Sequence, residues 1–198
     1  MNIANTSRDI IDQLRKFNIS TEMKSLESSD WIVYETINSE IVGAAGIGGI
    51  FHTSSVNVHE KFRGKGYGKK IQKELVGEAR KRNYSFVTVF VDPRNDSSVK
   101  MHDGLGYETI FRIHYSKDII QDIKIIIFKR RGNVIRKFLR CFNTKIGIFF
   151  LACILKISRG LFKKMFAYDE KEIPVLSIKI LLQILKRLNS LEFFTNKF

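Results

Sequence analysis

Apolar positions recur at helical spacing over residues 8–17 (RDIIDQLRKF), where Ile10, Ile11, Leu14 and Phe17 share one face. Residues 20–30 are rich in Ser, Glu and Asp and read as loop or a short second helix. At Trp31 the pattern changes. WIVYET (31–36) is aromatic and β-branched, and IVGAAGIGGI (41–50) follows the turn Asn38-Ser39-Glu40, so the two predict a hairpin. Glycines inside the second strand mark weak strand character or a close approach by other backbone. TSSVNV (53–58) alternates faces as a third strand. A helix is predicted from about residue 68 to 82, with Ile71, Leu75, Val76 and Ala79 on one side. SFVTVFV (85–91) is almost continuously apolar, the mark of a strand covered on both faces. Asp92-Pro93 ends it, Asn95 is placed to cap a short helix through about Asp103, and Gly104 and Gly106 break that helix. Residues 107–116 and 122–129 predict two more strands, antiparallel to each other. The pattern to this point is a mixed α+β domain.

Beyond residue 130 the pattern is helical, over 132–167 and 174–194. Val134, Ile135, Phe138, Leu139 and Phe142 make one stripe, opposed by Arg136, Lys137 and Arg140. The apolar run Ile146–Leu155 is too short for a bilayer span, which needs about 20 residues. Residues 131–198 hold 14 basic and 4 acidic side chains and 9 of the 16 Phe. That places most of the chain's net charge of +14 in the last third. The organisation read from this break is a domain over 1–130 and a basic amphipathic helical extension over 131–198. Such helices fit an anionic membrane surface, packing on the domain, or pairing in a homodimer. The extension has the charge for nucleic acid but no reading motif.

At 198 residues and 44% hydrophobic, the chain can bury its own core, and disorder is excluded. Its two cysteines, Cys141 and Cys153, have no partners at metal-ligand spacing, and the four histidines have none either. No metal is expected. The start MNIANTSRDI shows no apolar signal core, so a reduced, cytoplasmic setting is expected, peripheral at the membrane if the extension docks there.

The chemistry concentrates in Arg63-Gly64-Lys65-Gly66-Tyr67-Gly68, between a strand and a helix. Glycines allow successive N–H groups to point inward, and the helix start adds unsatisfied donors and a favourable dipole. Lys65, Lys69 and Lys70 add charge, so a pyrophosphate is the natural guest. A P-loop needs Gly-Lys-Ser/Thr at its end, and a dinucleotide fingerprint needs a third glycine at position 69, which is Lys.

Val58-x-x-x-x-Arg63-Gly64-x-Gly66-Tyr67-Gly68 resembles the acyl-CoA pyrophosphate loop of the GNAT superfamily of N-acetyltransferases, whose core is Gln/Arg-x-x-Gly-x-Gly/Ala. Asn95-x-x-Ser98-Val99-x-Met101-His102-x-x-Leu105-Gly106-Tyr107 is similar to that superfamily's Asn-x-x-Ala-Ile-x-Leu-Tyr-x-x-Leu-Gly-Phe. The hairpin with Gly43 also fits, and the resemblance spans roughly residues 5–130. It implies a GNAT-like, mixed and mostly antiparallel central sheet flanked by helices. It implies acetyl-CoA as cosubstrate, with the pantetheine arm lying where the strands around 53–58 and 85–91 splay. The pyrophosphate would lie on the backbone of Arg63, Gly64, Lys65, Gly66, Tyr67 and Gly68, and the CoA arm against Asn95. Amides near Val56 and Val58 would meet the thioester oxygen as it becomes negative.

The expected function is transfer of acetyl from acetyl-CoA to a primary amine by direct attack. The competing reading is a non-catalytic acyl-CoA-binding or membrane-docking module. The superfamily's usual thiolate acid, a Tyr on the helix after the central strand, is here His102. With an ordinary pKa near ~6.5 it would be partly charged at neutral pH. His52 and Glu60 flank the third strand and are candidate bases, although each also reads as an exposed histidine or a solvated turn charge.

Overall fold

An Asn-Ser dipeptide with both residues at positive φ, Asn38 at 49° and Ser39 at 65°, turns the chain back on itself at the start of the sheet. This two-residue hairpin joins β2 (Trp31–Ile37) to β3 (Glu40–Gly48), with Ile37 opposite Glu40. Its twist suits the right-handed twist of the strands. β1 (Asn2–Asn5) precedes them and pairs antiparallel with β2, Ile3 opposite Val33. β4 (Thr53–Val58) pairs antiparallel with β3. The remaining strands are β5 (Phe86–Val91), β6 (Glu108–His114) and β7 (Ile120–Ile127). All seven share one mixed sheet in the order β1-β2-β3-β4-β5-β7-β6. The helices are α1 (Arg8–Lys16), α2 (Tyr67–Lys81), α3 (Asp96–Gly104) and α4 (Arg130–Cys141). The α+β class expected from the pattern is the observed one.

The structure is a computed structural model and describes residues 1–6, 8–16, 26–114, 120–141, 143–144 and 147. The chain divides into two units, which among these residues are Met1–Val87 and Thr88 onward.

In the first unit, β3 is buried from Ile41 to Gly48, so both its faces are covered. Two glycines make this possible. A Cβ at Gly43 would lie 2.6 Å from the Asn57 carbonyl oxygen and 3.0 Å from Cδ1 of Ile71 on α2. A Cβ at Gly46, on the opposite face, would collide with Ser29 and Leu26. The close approach of other backbone, one of the two expectations for this strand, is found at Gly43, whereas at Gly46 the neighbours are side chains. Ile11 and Leu14 of α1 pack with Leu26, Ile32, Ile41 and Ala44. On α2, the predicted stripe Ile71, Leu75, Val76 and Ala79 is buried. Gln72 is buried beside it and donates to Ser54 Oγ at 3.0 Å.

In the second unit, β6 and β7 pair antiparallel, tied by Arg112 to Asp122 at 2.6 and 3.0 Å. Lys124 of β7, only 4% exposed, pairs with Asp103 of α3 at 2.6 Å. Of the helices predicted over 132–167 and 174–194, α4 accounts for the start of the first. The rest lies outside the described residues. No helix among the described residues is long and apolar enough to cross a membrane.

Candidate active site

The loop between β4 and α2 is held by side chains that bond to its own backbone. His59 Nδ1 accepts from the Lys61 N–H at 3.2 Å and starts a single tight turn, Glu60–Phe62. Arg63 then folds back, its Nε donating to the Val58 carbonyl at 3.0 Å. Gly64 and Gly66 are left-handed, with φ of 75° and 82°, a conformation that disfavours any side chain. A Cβ at either would meet nothing within 4 Å, so the space over the loop is open. Gly66 caps α2 without a side chain, and the first helical bond runs from Lys70 N to Gly66 O at 3.1 Å. The N–H groups of Tyr67, Gly68 and Lys69 thus have no acceptor within the helix. Uncapped donors, a helix dipole and open space together make a seat for an anion.

The cations around this seat are not equivalent. Lys65 is exposed and its Nζ lies 5.4 Å from the centre of the Phe62 ring. Lys70, counted with Lys65 and Lys69 as part of the positive field, is instead paired with buried Glu35 of β2 at 3.0 Å. Part of its charge is spent inside the protein.

Val56 and Val58, the expected donors to the thioester oxygen, lie on β4 just before the loop. The His59 N–H donates to Val42 O at 2.8 Å, toward β3. Strand alternation then turns the N–H groups of Val58 and Val56 to the opposite edge of β4. Those amides are not consumed by the β3–β4 ladder.

Asn95 caps α3, its Oδ1 accepting from the Ser98 N–H at 3.0 Å. His102 lies on the same helix and is 1% exposed. Its Nδ1 lies 2.8 Å from the Ser98 carbonyl, so Nδ1 carries the proton and Nε2 holds a lone pair. Nε2 is buried and has no hydrogen-bond partner among the described residues. Burial is the main force lowering the His102 pKa below 6.5, and nearby Lys124 adds to it, against the opposing Ser98 bond and Asp103. The shift favours the neutral imidazole over the partly charged one expected from an ordinary pKa. The Tyr107 ring packs edge-on against it, centres 5.3 Å apart.

His52 does not join the loop. It occupies the β3–β4 turn at a φ of 49°, its ring against Tyr84 and Phe86. β4 separates it from Val58 by about 17 Å of strand. Burial also lowers its pKa. Glu60 is exposed in the turn before the loop. Two charged neighbours of the expected site residues, Glu35 beside Lys70 and Lys124 near His102, are not evident from the sequence. Each is a charged residue within a strand, and burial of a charge without a visible partner is the only hint that sequence offers. Among the described residues no group of three His, Cys, Asp or Glu side chains could hold a metal.

Residues 7–107 match the family model of the acetyltransferase (GNAT) family. An acetyltransferase of Pectobacterium atrosepticum is 30% identical over 117 residues, covering 56% of this chain and 83% of that protein. Among solved structures, an acetyltransferase from Salmonella typhimurium with its cofactor acetyl-CoA superposes with a TM-score of 0.52 at 16% identity. That match covers 64% of this chain and 93% of the other. The ribosomal-protein-S18-alanine N-acetyltransferase of Escherichia coli superposes with a TM-score of 0.54 at 13% identity, over 65% of this chain and 94% of the other. At those identities the two structures speak for the fold. The family match covers half of the chain, and it begins before the α1 stripe and ends just past the helix bearing Asn95 and His102. The chain belongs to the acetyltransferase (GNAT) family and is an acyltransferase with acetyl-CoA as its cosubstrate.

Proposed function

We propose that this enzyme moves the acetyl group directly onto a primary amine. The observation that carries the reading is the loop Arg63–Gly68, with two left-handed glycines under open space at the uncapped start of α2. Backbone N–H groups of Gly64, Lys65, Gly66, Tyr67 and Gly68 bind the CoA pyrophosphate, with Lys65 and Lys69 adding charge, while the Arg63 N–H donates to the Glu60 carbonyl at 3.1 Å and closes the turn before them. The Asn95 carboxamide oxygen is committed to its helix, so its amide nitrogen meets the CoA arm. One backbone amide of β4, that of Val56 or Val58, donates to the carbonyl oxygen as it gains charge.

The amine nitrogen attacks the thioester carbon, a C–N bond forms, and the C–S bond breaks to release the CoA thiolate. The proton lost by nitrogen is relayed through water to His102 Nε2, which is itself buried, and returns from there to sulfur. His102 is suited to this because Ser98 fixes its tautomer and burial keeps it neutral at rest. Its role is thus a base first and an acid second.

The full chain with acetyl-CoA and a panel of primary amines tests this. Free CoA should appear together with a product heavier by one acetyl group. CoA release without an acetylated amine, or none at all, would contradict the proposal. Below neutral pH the rate falls because the amine protonates, a slope of about one in log kcat/KM. It should steepen to about two below the lowered His102 pKa, since the neutral imidazole is lost as pH falls through it. His102→Asn should lower kcat by about 10²–10⁴ and remove the second slope. A wild-type rate and profile in that variant would make His102 a packed core residue only.

A further inference from the structure

We propose that the outward face of α4 docks on an anionic phospholipid surface. α4 lies beyond the family match, which ends at residue 107. It carries Arg130, Arg131, Arg136, Lys137 and Arg140 and no acidic residue. Its inner side is settled by buried Gly132 and Leu139 and by Glu108 of β6. Glu108 holds Arg136 at 3.0 Å and Arg140 at 3.8 Å. Arg130, Arg131 and Lys137 are exposed and make no ion pair among the described residues. Between these cations Val134 is 67% exposed and Phe138 49%, four residues apart on one face. Cys141, free and exposed, continues that face at seven residues from Val134. Exposed large apolar side chains on a helix, ringed by cations, match a surface with negative headgroups over hydrocarbon. Nucleic acid would use the cations and leave the exposure of Val134 unexplained. An acidic protein would do without the run of unpaired cations that a continuous charged surface rewards.

Sedimentation of the full chain with vesicles tests the docking. It should pellet with phosphatidylcholine vesicles that contain one third phosphatidylglycerol, and not with phosphatidylcholine alone. Binding should fall as salt rises, because the attraction is screened over about 10 Å at 0.1 M. Each interfacial cation strengthens binding about fivefold, so the combined Arg130→Gln, Arg131→Gln and Lys137→Gln chain should bind about a hundredfold more weakly. Val134→Ser with Phe138→Ser should cost about tenfold or more. Both variants should keep the wild-type melting temperature and CoA affinity. The cation variant changes only exposed side chains, so it remains informative if the apolar variant is unstable. Failure to pellet at low salt would overturn the proposal. So would undiminished pelleting of the cation variant, which would move the membrane contact elsewhere. Binding of duplex DNA without vesicle binding, lost in the cation variant and kept in the apolar one, would replace lipid by nucleic acid.

Discussion

Gly66→Val should weaken CoA binding by at least about a hundredfold, because the new side chain fills the space where charge-assisted bonds worth about 1.5–3 kcal/mol each would form. The geometry also supplies the control. A non-glycine residue at a φ of 82° is strained whatever its size, by about 1–2 kcal/mol. Gly66→Ala carries that strain with a far smaller side chain. Both variants should lose stability about equally, while affinity measured by calorimetry falls in the order Gly, Ala, Val. Equal affinity in alanine and valine variants would show that strain, and not filling, accounts for the loss.

Gly43→Ala should produce the largest loss of stability. Its Cβ would sit 2.6 Å from the Asn57 carbonyl oxygen and 3.1 Å from Val58 Cα, both backbone atoms of β4 that no rotamer change can move. Overpacking of this kind costs about 1–3 kcal/mol and at times more, and a chain of this size loses about 2–4 °C per kcal/mol. A fall of roughly 10 °C in Tm is the expected result. Any relief pushes β4 away from β3 at Val58, so kcat should fall further than acetyl-CoA affinity. Gly77→Ala, within α2 where a Cβ meets nothing within 4 Å, should instead stabilise by about 0.5–1 kcal/mol. The same substitution thus takes opposite signs at two glycines. A Tm for Gly43→Ala within 2 °C of wild type would contradict the packing described for β3.

What the sequence made legible follows a physical line. The α2 stripe, the hairpin and the cap at Asn95 depend on neighbours a few residues apart, and periodicity reports such neighbours directly. The glycine loop was legible because strand, turn and helix start are contiguous from Thr53 to Lys81. β1 was not, since NIAN is short, polar and stabilised only by pairing with β2 about thirty residues away. The charge of Lys70 was visible, but its partner Glu35 lies 35 positions earlier and is brought near by folding alone. The helix that carries His102 could be read from its motif. The lowered pKa of His102 could not, because burial by other elements and the approach of Lys124 set it. For His52 the sequence showed its place beside β4 but not its packing against Tyr84 and Phe86, which lie over thirty positions later and are brought near by folding alone.

The central claim is that backbone N–H groups of residues 64–68 hold the CoA pyrophosphate. Amide NMR of the full chain, titrated in turn with CoA and with pantetheine, reads those groups one by one. The account predicts large downfield shifts at Gly64, Lys65, Gly66, Tyr67 and Gly68 with CoA, and little change there with pantetheine, which lacks the pyrophosphate. Tight CoA binding that leaves these five amides unmoved would contradict it.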